Sequence, residues 1–256
     1  MGRPHLILDV DETLLHAMMR ADVGAGAMGS AEDAHYLTAA DMWLKVRPGV
    51  RIMLDVLSRL YVLHIFSAGS QQHVANACAV LEPQSRLITG KRLHAGNLTN
   101  GLKCVTDDAV SPDDALILDD SIDMWCERWQ PVVVEAKRYV YFKPGGGVAE
   151  ESDMYVRRLT SFLALVAHRY GEGLPMQLAL EVAYAEWFPI VVVSPSEMTM
   201  LQNTAPLLVH RMHVRSGRKH THRNVLARLI DAYLLLQPAI LSNNSRPARP
   251  PIAPRR

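Results

Sequence analysis

Asp9 and Asp11 stand two residues apart where the apolar run Leu6-Ile7-Leu8 ends, and Thr13 follows two residues later. Apolar residues running into paired acids and then a hydroxyl read as a buried strand, an acidic turn and, from Leu14-Leu15, the start of a helix. At the carboxyl edge of an open α/β sheet, such a turn exposes backbone N–H groups and side chains to a ligand. The plainer alternative is an acidic surface turn with Asp11 as a helix N-cap. A second strand pattern, Ala115-Leu116-Ile117-Leu118, ends the same way in Asp119-Asp120. Carboxylates brought together from neighbouring strand ends repel unless a hard cation lies between them. Mg²⁺ meets that need with one or two carboxylates plus waters and phosphate oxygens.

Two further places suit an anionic ligand. Ser67-Ala68-Gly69-Ser70 follows the strand pattern Tyr61 to Phe66, and small residues at a strand-to-helix turn let backbone donors approach phosphate oxygens. A simple capped helix start fits the same residues. Arg47, in Arg47-Pro48-Gly49, precedes a helix start, where it can hold phosphate or stand as a solvated turn residue.

The elements that must position these groups alternate along the chain. Helical spacing of Val50, Met53, Leu54, Leu57 and Leu60 is followed by the strand at Tyr61–Phe66 and an amphipathic helix over about 71–81. A strand at Ala115–Leu118 and another at Val132–Glu135 come next, giving a mostly parallel sheet with helices on both faces. Residues 17–40, rich in Ala, Gly and Met, read as a flexible surface insertion. Beyond the Gly-rich 144–147, a helix is expected over 155–170 and another within 175–187, then strands at 190–193 and 207–209 and a helix over 224–236. The Pro- and Arg-rich end, 242–256, reads as disordered.

At 256 residues, 49% hydrophobic and 21% charged, the chain is ordinary for a globular protein with a sizeable core. Cys78, Cys104 and Cys126 form no CxxC pair, which points away from a disulfide framework or zinc site and towards a reducing compartment. An early strand and a charged, proline-broken apolar stretch (178–193) predict a soluble intracellular protein without signal peptide or membrane span. Residues 1–150 carry 14 Lys and Arg against 19 Asp and Glu, a net −5; residues 151–256 carry 13 against 7, a net +6. The acid-free segment from Arg211 to Arg223 concentrates this positive charge, either as a solvated basic loop or as a contact for an anionic partner.

With these pieces in order, the chain resembles the haloacid dehalogenase superfamily, specifically the Fcp/Scp group of RNA polymerase II C-terminal-domain phosphatases, over roughly His5 to Pro144. Asp9, Asp11 and Thr13 match that group's D-x-D-x-T, Arg47-Pro48-Gly49 its R-P-G, Ser67 its Thr or Ser after a strand, Lys103 its lysine and Asp119-Asp120 its last acidic pair. The run Asp119-Asp120-Ser121-Ile122-Asp123-Met124-Trp125 is closer to the larger, TFIIF-associated type than to the small phosphatases, whereas Cys104-Val105-Thr106 departs from the group's usual D-L-S after the lysine.

The resemblance implies a Rossmann-like, mostly parallel sheet over residues 1–148. A smaller, mainly helical region, possible as a degenerate BRCT-like fold, would occupy 149–241, ahead of the tail at 242–256. It implies a nuclear, Mg²⁺-dependent phosphatase acting on a phosphorylated protein such as the RNA polymerase II C-terminal domain. Asp9 would be the nucleophile and Asp11 the general acid and base, with Thr13 in the same motif. Ser67, Lys103 and Arg47 would cover the phosphoryl oxygens. Asp9, the Asp11 carbonyl and Asp119-Asp120 would hold the cation, with Asp120 favoured as the direct ligand and Asp119 as the partner of Lys103. The competing readings are a small-metabolite phosphatase of the same superfamily and a non-catalytic scaffold like the mitochondrial import subunit that shares the domain.

The basic segment offers a direct test. If it holds a phosphorylated tail or RNA, replacing Arg215, Arg218 and Lys219 with Ala weakens binding and flattens its salt dependence, with p-nitrophenyl phosphate hydrolysis unchanged. Unaltered affinity and salt slope would reduce it to a solvated loop.

Overall fold

Leu6, Ile7 and Leu8 offer no polar face, so the strand they form has to be covered on both sides. The computed structural model describes residues 2–23, 33–84, 86–143 and 152–187. In chain order its elements begin with β1 (His5–Leu8), β2 (Leu15–Met19), β3 (Ala34–Leu37), β4 (Met42–Val46) and α1 (Val50–Ser58). There follow β5 (Val62–Phe66), α2 (Gln71–Leu81), β6 (Arg92–Leu93), β7 (Ala115–Asp119), β8 (Val133–Glu135), α3 (Met154–Gly171) and α4 (Met176–Trp187).

The main sheet is parallel, five-stranded and ordered β6-β5-β1-β7-β8. Its fully buried centre is the apolar run of β1 between β5 and β7. Leu8 lies opposite Ile65 on one side and Leu118 on the other, so the three central strands end level. The chain moves outward from β1 to β5 and β6, then returns to β7 and β8 across β1. A topological switch point therefore falls beside β1, and the crevice it opens lies at the carboxyl ends of these strands.

The turn after β1 differs from the expected helix start. Glu12 takes a left-handed φ of 60°, and the N–H groups of Leu14 and Leu15 both donate to the carbonyl of Val10. The chain then leaves as a strand: Leu15 pairs with Val46 in a three-stranded antiparallel sheet ordered β2-β4-β3. The predicted insertion at 17–40 thus contributes the end of β2 and all of β3 in its described part. Their pattern is weak locally because β4, more than twenty residues on from the start of β2, supplies the pairing that stabilises them.

Helix α1 buries Val50, Met53, Leu54 and Leu57, a stripe at i, i+3, i+4 and i+7. It starts at Gly49, whose φ of 85° is a left-handed conformation, and a Cβ there would lie 3.1 Å from the Asp153 Cβ and 3.3 Å from the Val156 Cβ. The packing of α1 on α3 thus requires glycine. Other ties join α3 and α4 to the same body: the Tyr61 hydroxyl donates to the Leu163 carbonyl (2.6 Å), and the Met176 N–H to the Asp113 carbonyl (2.8 Å).

Arg47 is 1% exposed. Its guanidinium donates to the carbonyls of Thr13 (3.2 Å) and Lys137 (2.7 Å). It also lies over the rings of Tyr155 and Tyr139, 4.4 and 5.3 Å from their centroids. The Lys137 N–H in turn donates to the Tyr155 hydroxyl (2.6 Å). One cation thus pins the acidic turn, the segment after β8 and α3 together.

The Gly-rich 144–147 with the 148/149 domain boundary, the middle of the insertion (24–32), the strands at 190–193 and 207–209, the helix at 224–236, the basic segment and the tail all lie outside the described residues. Of the region considered for a BRCT-like fold, 152–187 are described, as α3 and α4, and 188–241 are not. Among the described residues no helix is long and apolar enough to cross a membrane.

Arg47→Met keeps much of the stem but removes the donors and the charge over the rings. It should cost about 2–4 kcal/mol of stability, seen as a lower urea midpoint at unchanged m-value. A wild-type midpoint would show that the guanidinium is dispensable to the fold.

Candidate active site

The level ends of the central strands bring distant acids to one edge. Asp9 directly follows β1, where its N–H donates to the Leu118 carbonyl (2.9 Å), and Asp119 closes β7 beside it. Between them lies the Lys103 ammonium, 2.5 Å from Asp9 Oδ1 and 2.6 Å from Asp119 Oδ2. The lysine side chain is 2% exposed. Its placement comes from backbone pairing: the Lys103 N–H donates to the Met124 carbonyl (2.8 Å), and the Cys126 N–H to the Lys103 carbonyl (3.1 Å).

That pairing has two results that spacing along the chain conceals. Trp125, fully buried and edge-on to Phe66, donates its indole N–H to Asp119 Oδ2 (2.8 Å). Cys104 and Cys126, whose Cα atoms are 5.6 Å apart, form a disulfide. This corrects the expectation from cysteine spacing, since only the pairing of Lys103 with the 124–126 segment makes neighbours of residues 22 apart.

Asp119 is fully engaged, because its other oxygen, Oδ1, accepts from the Ser121 N–H (2.8 Å). Asp120 is held by Thr13: its N–H donates to Thr13 Oγ1 (3.0 Å), and that hydroxyl donates to Asp120 Oδ1 (3.3 Å). Arg138, paired with Glu12, lies 3.7 Å from Asp120 Oδ2 at the exposed rim.

Burial, with the Asp119 charge beside it, pushes the Asp9 carboxyl up from its ordinary 3.8 to about 7, against the pull of Lys103. Asp120 is raised by burial and then by Asp119. Burial works to lower Lys103, but Asp9 and Asp119 outweigh it and hold the ammonium above its usual range. One ammonium therefore serves a cluster with too much negative charge.

Asp11 faces the opposite side of the crevice. Ser67, wholly buried, donates through Oγ to Asp11 Oδ2 (3.2 Å) and accepts from the Gly69 N–H (2.9 Å). His73 Nε2 lies 2.9 and 3.0 Å from the two Asp11 oxygens. The hydrogen bond to Asp11 holds the imidazolium above its usual range in spite of burial.

The structure thus gathers Asp9, Asp11, Thr13, Ser67, Lys103, Asp119 and Asp120 at one edge. Arg47 is elsewhere: the predicted phosphate ligand turns into the body, where Thr13, Lys137 and two tyrosine rings engage it. His73, Trp125 and Arg138 were not among the predicted site residues. Only Trp125 had a visible sign, its place in the D-D-x-x-D-x-W run.

Asp9, Asp119 and Asp120 each offer a carboxylate oxygen within 4.8 Å of the others. An all-oxygen set short of positive charge fits a hard divalent cation such as Mg²⁺. With both Asp119 oxygens occupied, Asp9 and Asp120 are the better placed ligands.

The profile of the NLI interacting factor-like phosphatase family matches residues 4–169. The chain is 27% identical over 154 residues to a human phosphatase of the RNA polymerase II C-terminal domain, a match covering 55% of this chain and 15% of that protein. It is 25% identical over 164 residues to the protein of the same name from Schizosaccharomyces pombe, covering 55% of this chain and 21% of that one. The chain therefore spans a small part of the length of these relatives. A solved structure of a variant of the fission yeast RNA polymerase II CTD phosphatase Fcp1 bound to beryllium fluoride aligns with a TM-score of 0.48 at 20% identity, covering 94% of this chain and 66% of that chain.

The sign of the Asp9 shift makes a prediction. A carboxyl raised on folding stabilises fully below about pH 3.8, and that contribution is lost as pH rises through about 7. A cation competes with the proton for the same oxygens, so Mg²⁺ should raise Tm more at about pH 8 than at about pH 5. Thermal melts with and without Mg²⁺ measure this, and an equal Tm rise at both pH values would contradict it.

Proposed function

The chain belongs to the NLI interacting factor-like phosphatase family, and from that membership we propose that it is a Mg²⁺-dependent protein serine/threonine phosphatase. Its substrate in this reading is phosphoserine in a peptide like the RNA polymerase II C-terminal domain, its intermediate an aspartyl-phosphate on Asp9 and its compartment the nucleus. The observation that carries the reading is the buried Lys103 ammonium between Asp9 and Asp119, with Asp11 on the same strand-end edge.

Asp9 attacks phosphorus and the bond to the serine oxygen breaks, while the Asp11 carboxyl gives that oxygen its proton. Asp11, now a carboxylate, takes a proton from the water that attacks phosphorus, which releases phosphate and frees Asp9. Lys103 and the Ser67 hydroxyl stabilise charge on the phosphoryl oxygens. Held by Asp9, the Asp11 carbonyl and Asp120, Mg²⁺ would neutralise the carboxylates and draw a phosphate dianion into the crevice. Thr13 fixes Asp120, and Asp119 fixes Lys103. Arg47 takes an architectural role. The Asp11 side chain is 39% exposed, so the leaving-group side faces solvent, which suits a phosphoserine carried on a peptide chain.

The two motif aspartates can be separated by leaving group. Asp9→Asn should abolish turnover of every substrate, because an amide is too weak a nucleophile. Asp11→Asn should lose about 10²- to 10⁴-fold on a phosphoserine peptide. With p-nitrophenyl phosphate, whose leaving group needs no proton, it should give a burst of about one equivalent per site before a slow steady state. Rapid-quench product measurements read both outcomes, and a burst from Asp9→Asn would reverse the assignment.

A further inference from the structure

We propose that His73 is the positioning residue of Asp11, fixing the carboxyl that passes the proton to and from the substrate. The inference rests on the reading of Asp11 as general acid and base. A carboxyl that must meet a serine oxygen in one step and a water in the next needs a fixed direction. At 39% exposure, its own surroundings restrain it little on the solvent side. Two donors supply the restraint: the Ser67 hydroxyl at Oδ2 (3.2 Å) and His73 Nε2 across both oxygens (2.9 and 3.0 Å).

The local sequence is built to deliver that ring. Ser70 caps α2, its hydroxyl accepting from the His73 N–H (3.1 Å), which fixes His73 in the first helical turn with its side chain 13% exposed. Gly69 leaves the space the ring uses. A Cβ on Gly69 would lie 2.6 Å from His73 Cδ2 and 3.1 Å from Ser67 Oγ, so any larger residue there forces the imidazole off its place. Gly69 has no left-handed φ to justify it, unlike Gly49, Gly101 and Gly173. The close approach of the imidazole accounts for it instead.

The test uses His73→Phe, which keeps a ring but lacks the donor, and His73→Gln, whose amide can replace Nε2–H. His73→Phe should lower kcat on a phosphoserine peptide by about 10- to 100-fold, with KM within about 2-fold of wild type. With p-nitrophenyl phosphate it should form the phosphoryl-enzyme at the wild-type rate in a single turnover, since that step needs no acid, but slow the steady state that follows. His73→Gln should recover most of the loss. Gly69→Ala should reproduce His73→Phe, and the double variant should be no worse than either single one. Wild-type phosphoserine turnover in His73→Phe, a first turnover of p-nitrophenyl phosphate slowed as much as peptide turnover, or strictly additive losses in the double variant would each overturn the inference. Asp11→Asn measured alongside separates the two levels. If it turns over phosphoserine normally, the reading of Asp11 falls and this inference with it. If it behaves as a lost general acid while His73→Phe matches wild type, only the role of His73 falls.

Discussion

The Lys103 ammonium, out of water and within hydrogen-bonding distance of both Asp9 and Asp119, is the interaction on which the rest of the site depends. Taking an ion pair out of water costs several kcal/mol per ion, and only close geometry with further hydrogen bonds recovers it. The fold provides both. Level strand ends bring the carboxylates together, the backbone of residues 103 and 124–126 brings the lysine, and the Trp125 indole and Ser121 N–H complete Asp119. Two carboxylates facing one ammonium still leave an excess of negative charge. Burial first, and then that excess, raises Asp9, and the excess gives the cleft its demand for a cation.

A second buried cation does different work. Arg47 uses its donors on the carbonyls of Thr13 and Lys137 and its face on Tyr139 and Tyr155. It holds the turn carrying the Asp11 and Thr13 positions against the segment after β8. Lysine, a compact and strongly hydrated charge, meets two carboxylates at one point. The planar guanidinium spans separated carbonyls and stacks on rings, and neither residue would replace the other. In the proposed reading Lys103 therefore bears on chemistry and Arg47 on the frame that keeps the chemistry in register.

What was legible in the sequence follows from the range of the forces involved. Strands β1, β5 and β7 are continuous apolar runs, and α1 carries its stripe within nine residues, so local pattern was enough to find them. The acids at the ends of β1 and β7 were legible because a buried strand has few reasons to end in two carboxylates. The sheet β2-β4-β3 was not, because its stability lies in pairing between segments and β3 is only half-buried along its length. The burial of Arg47 was hidden for a related reason: a position before a helix fits phosphate binding and burial equally, and the groups it meets lie at residues 137, 139 and 155. His73 reads as an ordinary residue on a helix, and only the meeting of β1 with the β5–α2 turn gives it Asp11. The Cys104–Cys126 link is likewise a product of tertiary pairing.

The central claim is that a covalent phosphoryl intermediate forms on the residue that Lys103 holds. The most direct measurement is to quench the enzyme during turnover, reduce the denatured protein with borohydride and sequence the peptide spanning residues 9 and 11 by mass spectrometry. An acyl-phosphate is reduced to an alcohol where a free carboxylate is not, so the account predicts homoserine at position 9 and unaltered aspartate at position 11. Homoserine at position 11, or none at either position while substrate is being consumed, would contradict it.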